Sequence, residues 1–265
     1  MSAARVLILR APGTNCDLET AFAFEKAGGR TRSLHVRELC AKPALLHEHS
    51  ILALPGGFSY GDDLGSGTVI ANELTQTLAE PLQRFVERGG LVLGICNGFQ
   101  ILVKTGLLPG PSYAPRESRE LPAATLTFND SQRFEDRWVW LCIEQSASPF
   151  LEGHAGRLVT FPVAHGEGKF VARDEQTLQR IESARQVAFR YTNAAGGPPV
   201  YPENPNGAQN DIAGILDESG QVLGLMPHPE RHVLPWHHPR WSREGLKGDG
   251  GDGLFIFENA VKRAK

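Results

Sequence analysis

The apolar run Leu91-Val92-Leu93-Gly94-Ile95 passes without a break into Cys96-Asn97-Gly98-Phe99-Gln100-Ile101-Leu102-Val103, and this junction constrains the fold more than any other stretch. A short, wholly apolar segment preceded by Gly89-Gly90 reads as a strand covered on both faces in a parallel sheet. Phe99, Leu102 and Val103 then fall at helical spacing, with Gly106 where a helix would stop. Gly94 and Gly98 flank Cys96 at the G-x-S-x-G spacing of a nucleophile elbow, with sulfur in place of oxygen. A strand that turns sharply into a helix strains its corner residue and leaves no room for bulky neighbours, so the glycines have a steric task. The thiol would lie at the first turn of a helix, where the dipole and free N–H groups favour thiolate. A buried structural cysteine suits the same spacing, and the elbow alone leaves both readings open.

The flanking chain repeats this grammar. Val6 to Leu9 reads as a strand and Pro12-Gly13-Thr14-Asn15-Cys16 as a loop. Asp17 is the expected N-cap of a helix with Leu18, Ala21, Phe22 and Ala27 as its apolar positions. Further strands are expected near Thr31 to Val36 and Ser50 to Leu54, the second running into Pro55-Gly56-Gly57 and a glycine-rich loop from Phe58 to Gly67. The next helix carries Val69, Ile70, Leu74, Leu78, Leu82, Phe85 and Val86, and Pro81 is expected to kink or divide it. Beyond a Pro-rich loop, 107–121, come strand-like pieces near 124–128, 138–143, 157–162, 186–191, 212–216 and 222–226, a helix over 175–184, and a closing helix with Leu254, Phe257 and Val261. Such alternation predicts an α/β fold with a mixed, mostly parallel sheet flanked by helices and a β-rich second half. A single domain, 1–265, with an extended C-terminal segment, 234–265, is the economical organisation.

Composition excludes some partners. A formal net charge of -3 over 265 residues carries no basic footprint, which argues against nucleic acid. Cys16, Cys40, Cys96 and Cys142 form no C-x-x-C pair, so neither a zinc site nor a disulfide framework is indicated. A reducing compartment fits. With no signal peptide and no apolar run of about 18 residues, a cytoplasmic protein without a membrane span is expected.

A cysteine nucleophile needs a base, and His228 has the best context among the nine histidines. His35, His47, His49 and His154 lack a carboxylate at useful spacing and read as surface or capping residues. In Met226-Pro227-His228-Pro229-Glu230 two prolines forbid a helix, so the chain is extended and His228 and Glu230 face the same side. Sites in parallel sheets lie beyond the carboxyl ends of the strands, and Cys96 and His228 each follow a strand directly. His228 would then take the thiol proton and later protonate a leaving amine, while Glu230 fixes the tautomer and stabilises the imidazolium. A metal-binding H-x-E competes with this reading but lacks a P-C-x-x-C partner, and no metal is expected. The N–H groups of Asn97 and Gly57 are candidate oxyanion donors, although Pro55-Gly56-Gly57 taken alone is only a turn.

Gly94-Ile95-Cys96-Asn97-Gly98-Phe99-Gln100 resembles the nucleophile motif of class I glutamine amidotransferases, and His228-x-Glu230 is similar to that family's downstream pair. Five further words narrow the resemblance: Pro12-Gly13-Thr14-Asn15-Cys16-Asp17, Pro55-Gly56-Gly57-Phe58-Ser59-Tyr60-Gly61-Asp62, Ala164-His165-Gly166-Glu167-Gly168, Asn204-Pro205-Asn206-Gly207 and Gly224-Leu225-Met226-Pro227-His228-Pro229-Glu230-Arg231. They resemble the glutaminase subunits of phosphoribosylformylglycinamidine synthases, over about Val6 to Arg231. The resemblance implies a flavodoxin-like fold of the class I amidotransferase kind. It implies attack of Cys96 on the glutamine side-chain amide, a glutamyl thioester, and release of ammonia and then glutamate. It implies oxyanion positions at Gly57 and Asn97 and a glutamine-binding position at Gln100.

Ammonia would pass to a separate synthetase subunit that uses ATP to convert formylglycinamide ribonucleotide to the amidine in purine synthesis, with a small third subunit in the assembly. ATP and Mg2+ are expected at that partner and no cofactor in this chain, which shows no P-loop or Rossmann phosphate loop. His165 and Glu167 read as structural or glutamine-side residues. The tail 234–253, with Trp236-His237-His238-Pro239 and a Gly-Asp stretch, reads as a surface lid or linker, with partner docking as a hypothesis. The rival readings are another cysteine hydrolase of similar fold and a non-catalytic scaffold with a degenerate site, and glutaminase activity separates them.

Overall fold

The computed structural model describes residues 3–113, 121–244 and 249–265, so part of the Pro-rich loop and of the tail lies outside the described residues. In chain order the elements are β1 (Arg5–Arg10), α1 (Asp17–Lys26), β2 (Arg30–His35), α2 (Val36–Ala41), β3 (Ile51–Leu54), α3 (Thr68–Glu87), β4 (Leu91–Ile95) and α4 (Asn97–Lys104). Then follow β5 (Ala124–Thr127), β6 (Glu135–Ile143), β7 (Leu158–His165), β8 (Lys169–Ala172), α5 (Glu175–Ser183), β9 (Val187–Thr192), β10 (Ile212–Leu216), β11 (Val222–Leu225), α6 (Trp241–Glu244) and α7 (Leu254–Arg263).

Nine strands form one sheet in the order β2-β1-β3-β4-β11-β10-β9-β6-β7. From β2 to β11 every neighbour is parallel, and from β11 to β7 every neighbour is antiparallel. Since alternate strands of the antiparallel part run with the parallel set, the sheet is mixed and mostly parallel in direction. Composition explains the division. β3, β4 and β11 are continuous apolar runs buried at every position, as strands between two helical layers must be. β2, with Arg30, Thr31, Arg32 and Ser33, is a polar edge strand that discourages further pairing. In β6, Val139, Leu141 and Ile143 are buried while the intervening Trp140 reaches solvent. β5 and β8 pair in a separate two-stranded ladder; β8 carries no signal strong enough to be read from the sequence.

Three local expectations are corrected. α3 runs unbroken through Pro81. The proline has no N–H for the Thr77 carbonyl, but Thr77 lies on the solvent face, so the missing bond is not a buried one. Asp17 does not cap α1, because its carboxylate pairs with Arg10 at 2.7 Å and Cys16 occupies the cap position. Nor do Leu18 and Phe22 form the buried face of α1. That face is Thr20, Ala23 and Phe24, chosen by α7, whose Phe257 meets Phe24 edge-on at 4.9 Å. Among the described residues no helix is long and apolar enough to cross a membrane.

Candidate active site

β4 and β11 lie side by side in register, Gly94 opposite Gly224 and Ile95 opposite Leu225, and the Cys96 N–H donates to the Leu225 carbonyl at 2.8 Å. Both strands therefore end at one edge, and the residues that follow them meet. Cys96 has φ 52° and ψ -108°, a left-handed corner that a residue with a Cβ adopts only under constraint. The constraint is close packing. A Cβ on Gly98 would lie 1.9 Å from the Leu54 carbonyl oxygen, and one on Gly94 would lie 2.5 Å from Leu102 Cδ1. α4 can thus start hard against β3 and β4 only because both positions are glycine.

His228 is held from two sides. Its N–H donates to the Pro162 carbonyl of β7 at 2.8 Å, and its Nδ1–H donates to Glu230 Oε1 at 2.6 Å. Both side chains are buried, His228 at 2% and Glu230 at 1% exposure. Burial opposes protonation of the imidazole, but the Glu230 carboxylate and the Cys96 sulfur outweigh it and hold His228 well above the usual histidine range. Nε2 carries no hydrogen bond. It is the free edge of the ring. A Cβ on Gly56 would come within 2.8 Å of His228 Cε1 and 3.4 Å of Cys96 Cβ, so the two side chains converge on this glycine. The Cys96 thiol, 5% exposed, points at the Ala164 carbonyl of β7 at 3.7 Å.

Gly57 has φ 148° and forms an isolated bridge with Thr14. The bridge's bonds are carried by its neighbours, Phe58 N–H to Gly13 and Asn15 N–H to Gly56, so the Gly57 N–H takes no part in them. The Asn97 N–H opens α4, where the first N–H groups have no carbonyl within the helix. Its side chain staples the glycine-rich loop to the elbow: Oδ1 accepts from Ser59 N–H at 3.2 Å, and Nδ2 reaches Asp62 at 3.3 Å and Gln100 Oε1 at 2.9 Å. Gln100 is buried, and its Nε2 donates to the Glu167 carbonyl at 2.6 Å. Its carboxamide therefore braces the 165–168 turn against α4.

His165 closes the far wall. Its ring lies on Gly168, where a Cβ would come within 2.3 Å, and its Nδ1–H donates to Asn129 Oδ1 at 3.2 Å. Burial, reinforced by the charge of His228, pushes its pKa down to about 3, so it is neutral. The reading of the sequence missed Asn129, Gly56, Cys16 and Arg231. Asn129 bonds the 165 carbonyl at 2.8 Å and the Gly168 N–H at 3.0 Å, contacts across some forty residues that no local pattern announces.

The ligand atoms of Cys16, His228 and Glu230 lie within 4.8 Å of one another. This is a weak metal centre, because His228 and Glu230 already bond each other at 2.6 Å and the Arg231 guanidinium sits 3.1 Å from the Cys16 sulfur. The arrangement instead suits acyl transfer: a thiol at a strained corner, a carboxylate-backed imidazole with a free nitrogen, and N–H groups at the edge where an oxyanion would form.

The family model for the CobB/CobQ-like glutamine amidotransferase domain matches residues 3–263. The chain belongs to that family. It is 52% identical to the phosphoribosylformylglycinamidine synthase subunit PurQ of Dehalococcoides mccartyi, over 100% of this chain and 99% of that one. The subunit of the same name from Archaeoglobus fulgidus is 38% identical over 97% and 96% of the two chains. A solved chain from the structure of PurLQS from Thermotoga maritima superposes with a TM-score of 0.75 at 32% identity, covering 100% of both. In a CobB/CobQ-like glutamine amidotransferase the reactions available to this thiol narrow to those that begin with a glutamine amide.

Proposed function

We propose that this chain is the glutaminase subunit of a phosphoribosylformylglycinamidine synthase, hydrolysing glutamine to glutamate and ammonia for purine synthesis. The observation that carries this is Cys96 at its strained elbow, beside a glutamate-backed His228, in a chain whose full length matches subunits of that name.

The geometry supports a sequence of proton movements. His228 Nε2 takes the Cys96 proton, and the sulfur attacks the side-chain carbonyl carbon of glutamine. Charge developing on the carbonyl oxygen is met by the N–H groups of Gly57 and Asn97, each such donor contributing about 3 kcal/mol of transition-state stabilisation. His228 returns the proton to the departing nitrogen, ammonia leaves, and a thioester remains. Water, deprotonated by His228, attacks the thioester, and glutamate leaves as the thiol is restored. Glu230 keeps Nδ1 protonated, so that Nε2 is the working nitrogen throughout. Gln100 supports the glutamine side of the site by bracing the Glu167 backbone.

Ammonia is used by a synthetase subunit, assembled with a small third subunit, and ATP and Mg2+ belong to that partner. Closure of such a site is commonly coupled to assembly, so the isolated chain is expected to be slow. The test is glutamate release from glutamine by the chain alone and with both partners, ATP and formylglycinamide ribonucleotide. Strong acceleration in the mixture is expected; no release with the complex demonstrably formed would reject the reading.

A further inference from the structure

Cys16 is a buried thiol beside the dyad for which the glutaminase chemistry has no task. It occupies the cap position of α1 yet makes no capping bond with its side chain. Its place is fixed from the backbone: its N–H donates to the Gly56 carbonyl at 3.2 Å, and its carbonyl accepts from Thr20 Oγ1 at 2.7 Å. A Cβ on Gly56 would touch the Cys16 sulfur at 3.1 Å as well as His228, so the glycine on which Cys96 and His228 converge also brings Cys16 to the dyad. The sulfur lies 4.0 Å from His228 Nδ1, donates its proton toward Asn15 Oδ1 at 3.2 Å, and accepts from Arg231 Nη2 at 3.1 Å. Burial pushes the thiol pKa up, so this acceptor is neutral.

Arg231 directly follows Glu230, and its anionic contact is Glu19 at 3.5 Å. Glu230 Oε2 is buried without a hydrogen bond. A guanidinium is drawn to a carboxylate more strongly than to sulfur, and Glu230, whose charge already acts on Arg231, offers it an oxygen with no hydrogen bond. We propose that Cys16 is a positioning residue: its neutral sulfur seats the Arg231 guanidinium beside the dyad and out of hydrogen-bonding contact with Glu230, so that the Glu230 carboxylate keeps its bond to His228 without a competing donor. This rests on the glutaminase reading.

Without the sulfur the guanidinium swings to Glu230, and the carboxylate's field at His228 is shared with a second cation. The imidazolium then gives up its proton at lower pH. The charged and titratable groups facing His228 are Glu230 on its own segment, Cys96 from the β4–α4 corner, Cys16 at the start of α1 and His165 from the end of β7. The Arg231 charge acts on Cys16, Glu230 and Cys96 among them. Removing the sulfur takes away its contacts with Arg231, Asn15 and His228 Nδ1 and leaves Glu230, Cys96 and His165 in place, so the variant that also lacks the Arg231 charge separates the guanidinium's effect from the direct loss at His228.

The experiment measures glutamate release by the assembled complex across pH for Cys16→Ala and Cys16→Ser, with ammonia-dependent synthesis as the control for folding and assembly. Cys16→Ala is expected to lose about tenfold in kcat, part of the roughly hundredfold that a 1 Å misplacement costs. KM should stay within about twofold, because the substrate contacts are untouched. The alkaline limb, where His228 loses its proton, should move to lower pH. Cys16→Ser keeps an acceptor for Arg231 and should recover most of kcat and the limb. Adding Arg231→Gln to Cys16→Ala should return the limb as well, since no cation remains to compete. Wild-type kcat and pH profile in Cys16→Ala overturn the proposal, as does equal impairment of Ala and Ser with unshifted limbs, which marks simple packing. Glutamine turnover surviving in Cys96→Ala would instead reject the glutaminase reading itself, whatever Cys16 does.

Discussion

The two halves of the sheet contribute to one site by different means. In the parallel half, β3, β4 and β11 are buried on both faces and end at one edge, so register alone brings the chain after Gly94-Ile95 beside the chain after Gly224-Leu225. In the antiparallel half it is the end of β7 that reaches the site, where Ala164 and His165 lie against Cys96 and His228. β7 is separated from β11 by three strands in the sheet, yet its Thr160, Pro162 and Ala164 carbonyls accept from His232, His228 and Cys96. The parallel half places reacting atoms through backbone pairing, whereas the antiparallel half closes around them through individual polar bonds. Damage to the first should be chemical; damage to the second should be felt in stability and substrate binding.

The largest effect should come from the parallel half. Cys96→Ala is expected to lower glutamine-dependent synthesis by on the order of 10^4-fold or more, as removal of a nucleophile does. Ammonia-dependent synthesis by the assembled complex should persist, because the elbow backbone survives the substitution. Loss of both activities with the complex intact would mean that the parallel half also has a structural hold on the partner, and the division of labour would fail.

That division also explains what could be read from the sequence. The elbow was legible because its signals are local: an apolar run, glycines either side of a cysteine, and helical spacing beyond. His228 and Glu230 were legible on the expectation of an extended chain, and that geometry is corrected: Pro229–His232 forms a 3-10 turn with His228 at its N-cap, a proline being tolerated in the first turn. This turn brings Glu230 Oε1 to His228 Nδ1 at 2.6 Å. Gly56 read as part of a turn, since its need to be glycine comes from Cys16, Cys96 and His228, which converge on it only in the fold. The Gly-Asp stretch read as a linker, but Gly253 packs where a Cβ would lie 2.1 Å from the Pro229 carbonyl, and Asp252 accepts from the Thr160 N–H at 3.0 Å. Those residues therefore hold the segment after His228 to β7. On α1, Leu18 at 76% and Phe22 at 45% exposure lost the core face to Ala23 and Phe24 because the deciding partner, α7, lies at the other end of the chain.

A second, smaller effect tests the antiparallel half directly. Asn129 is fully buried and ties the His165 ring, the His165 carbonyl, the Arg133 carbonyl and the Gly168 N–H together. Truncation to alanine leaves several buried groups unsatisfied, which costs about 3 kcal/mol in a denaturant midpoint series. Since His165 and Gly168 line the turn that Gln100 braces, KM for glutamine should rise while kcat changes less. A fall in kcat approaching that of Cys96→Ala, with stability unchanged, would break the comparison by giving this half a chemical role.

The most gradual effect is a slope. His165 is neutral in the fold with a pKa near 3, against an ordinary value of 6.5 when unfolded. Between these values the unfolded chain holds a proton at this position that the folded chain does not, so stability must fall as pH falls through that window. One such group contributes roughly 1.4 kcal/mol per pH unit. His228 has the opposite sign, because its folded pKa is raised; its contribution is complete below 6.5 and lost only as pH rises through the folded value. The two histidines therefore act on opposite sides of about pH 6.5. His165→Gln should remove the acid-side slope, leaving a shallower decline between pH 6.5 and 3 than the wild type shows. Parallel stability curves would mean that the ring takes up its proton without unfolding. The wall built by β7 and Asn129 would then be open enough to hydrate, and the contrast between a placing half and an enclosing half would lose its physical basis.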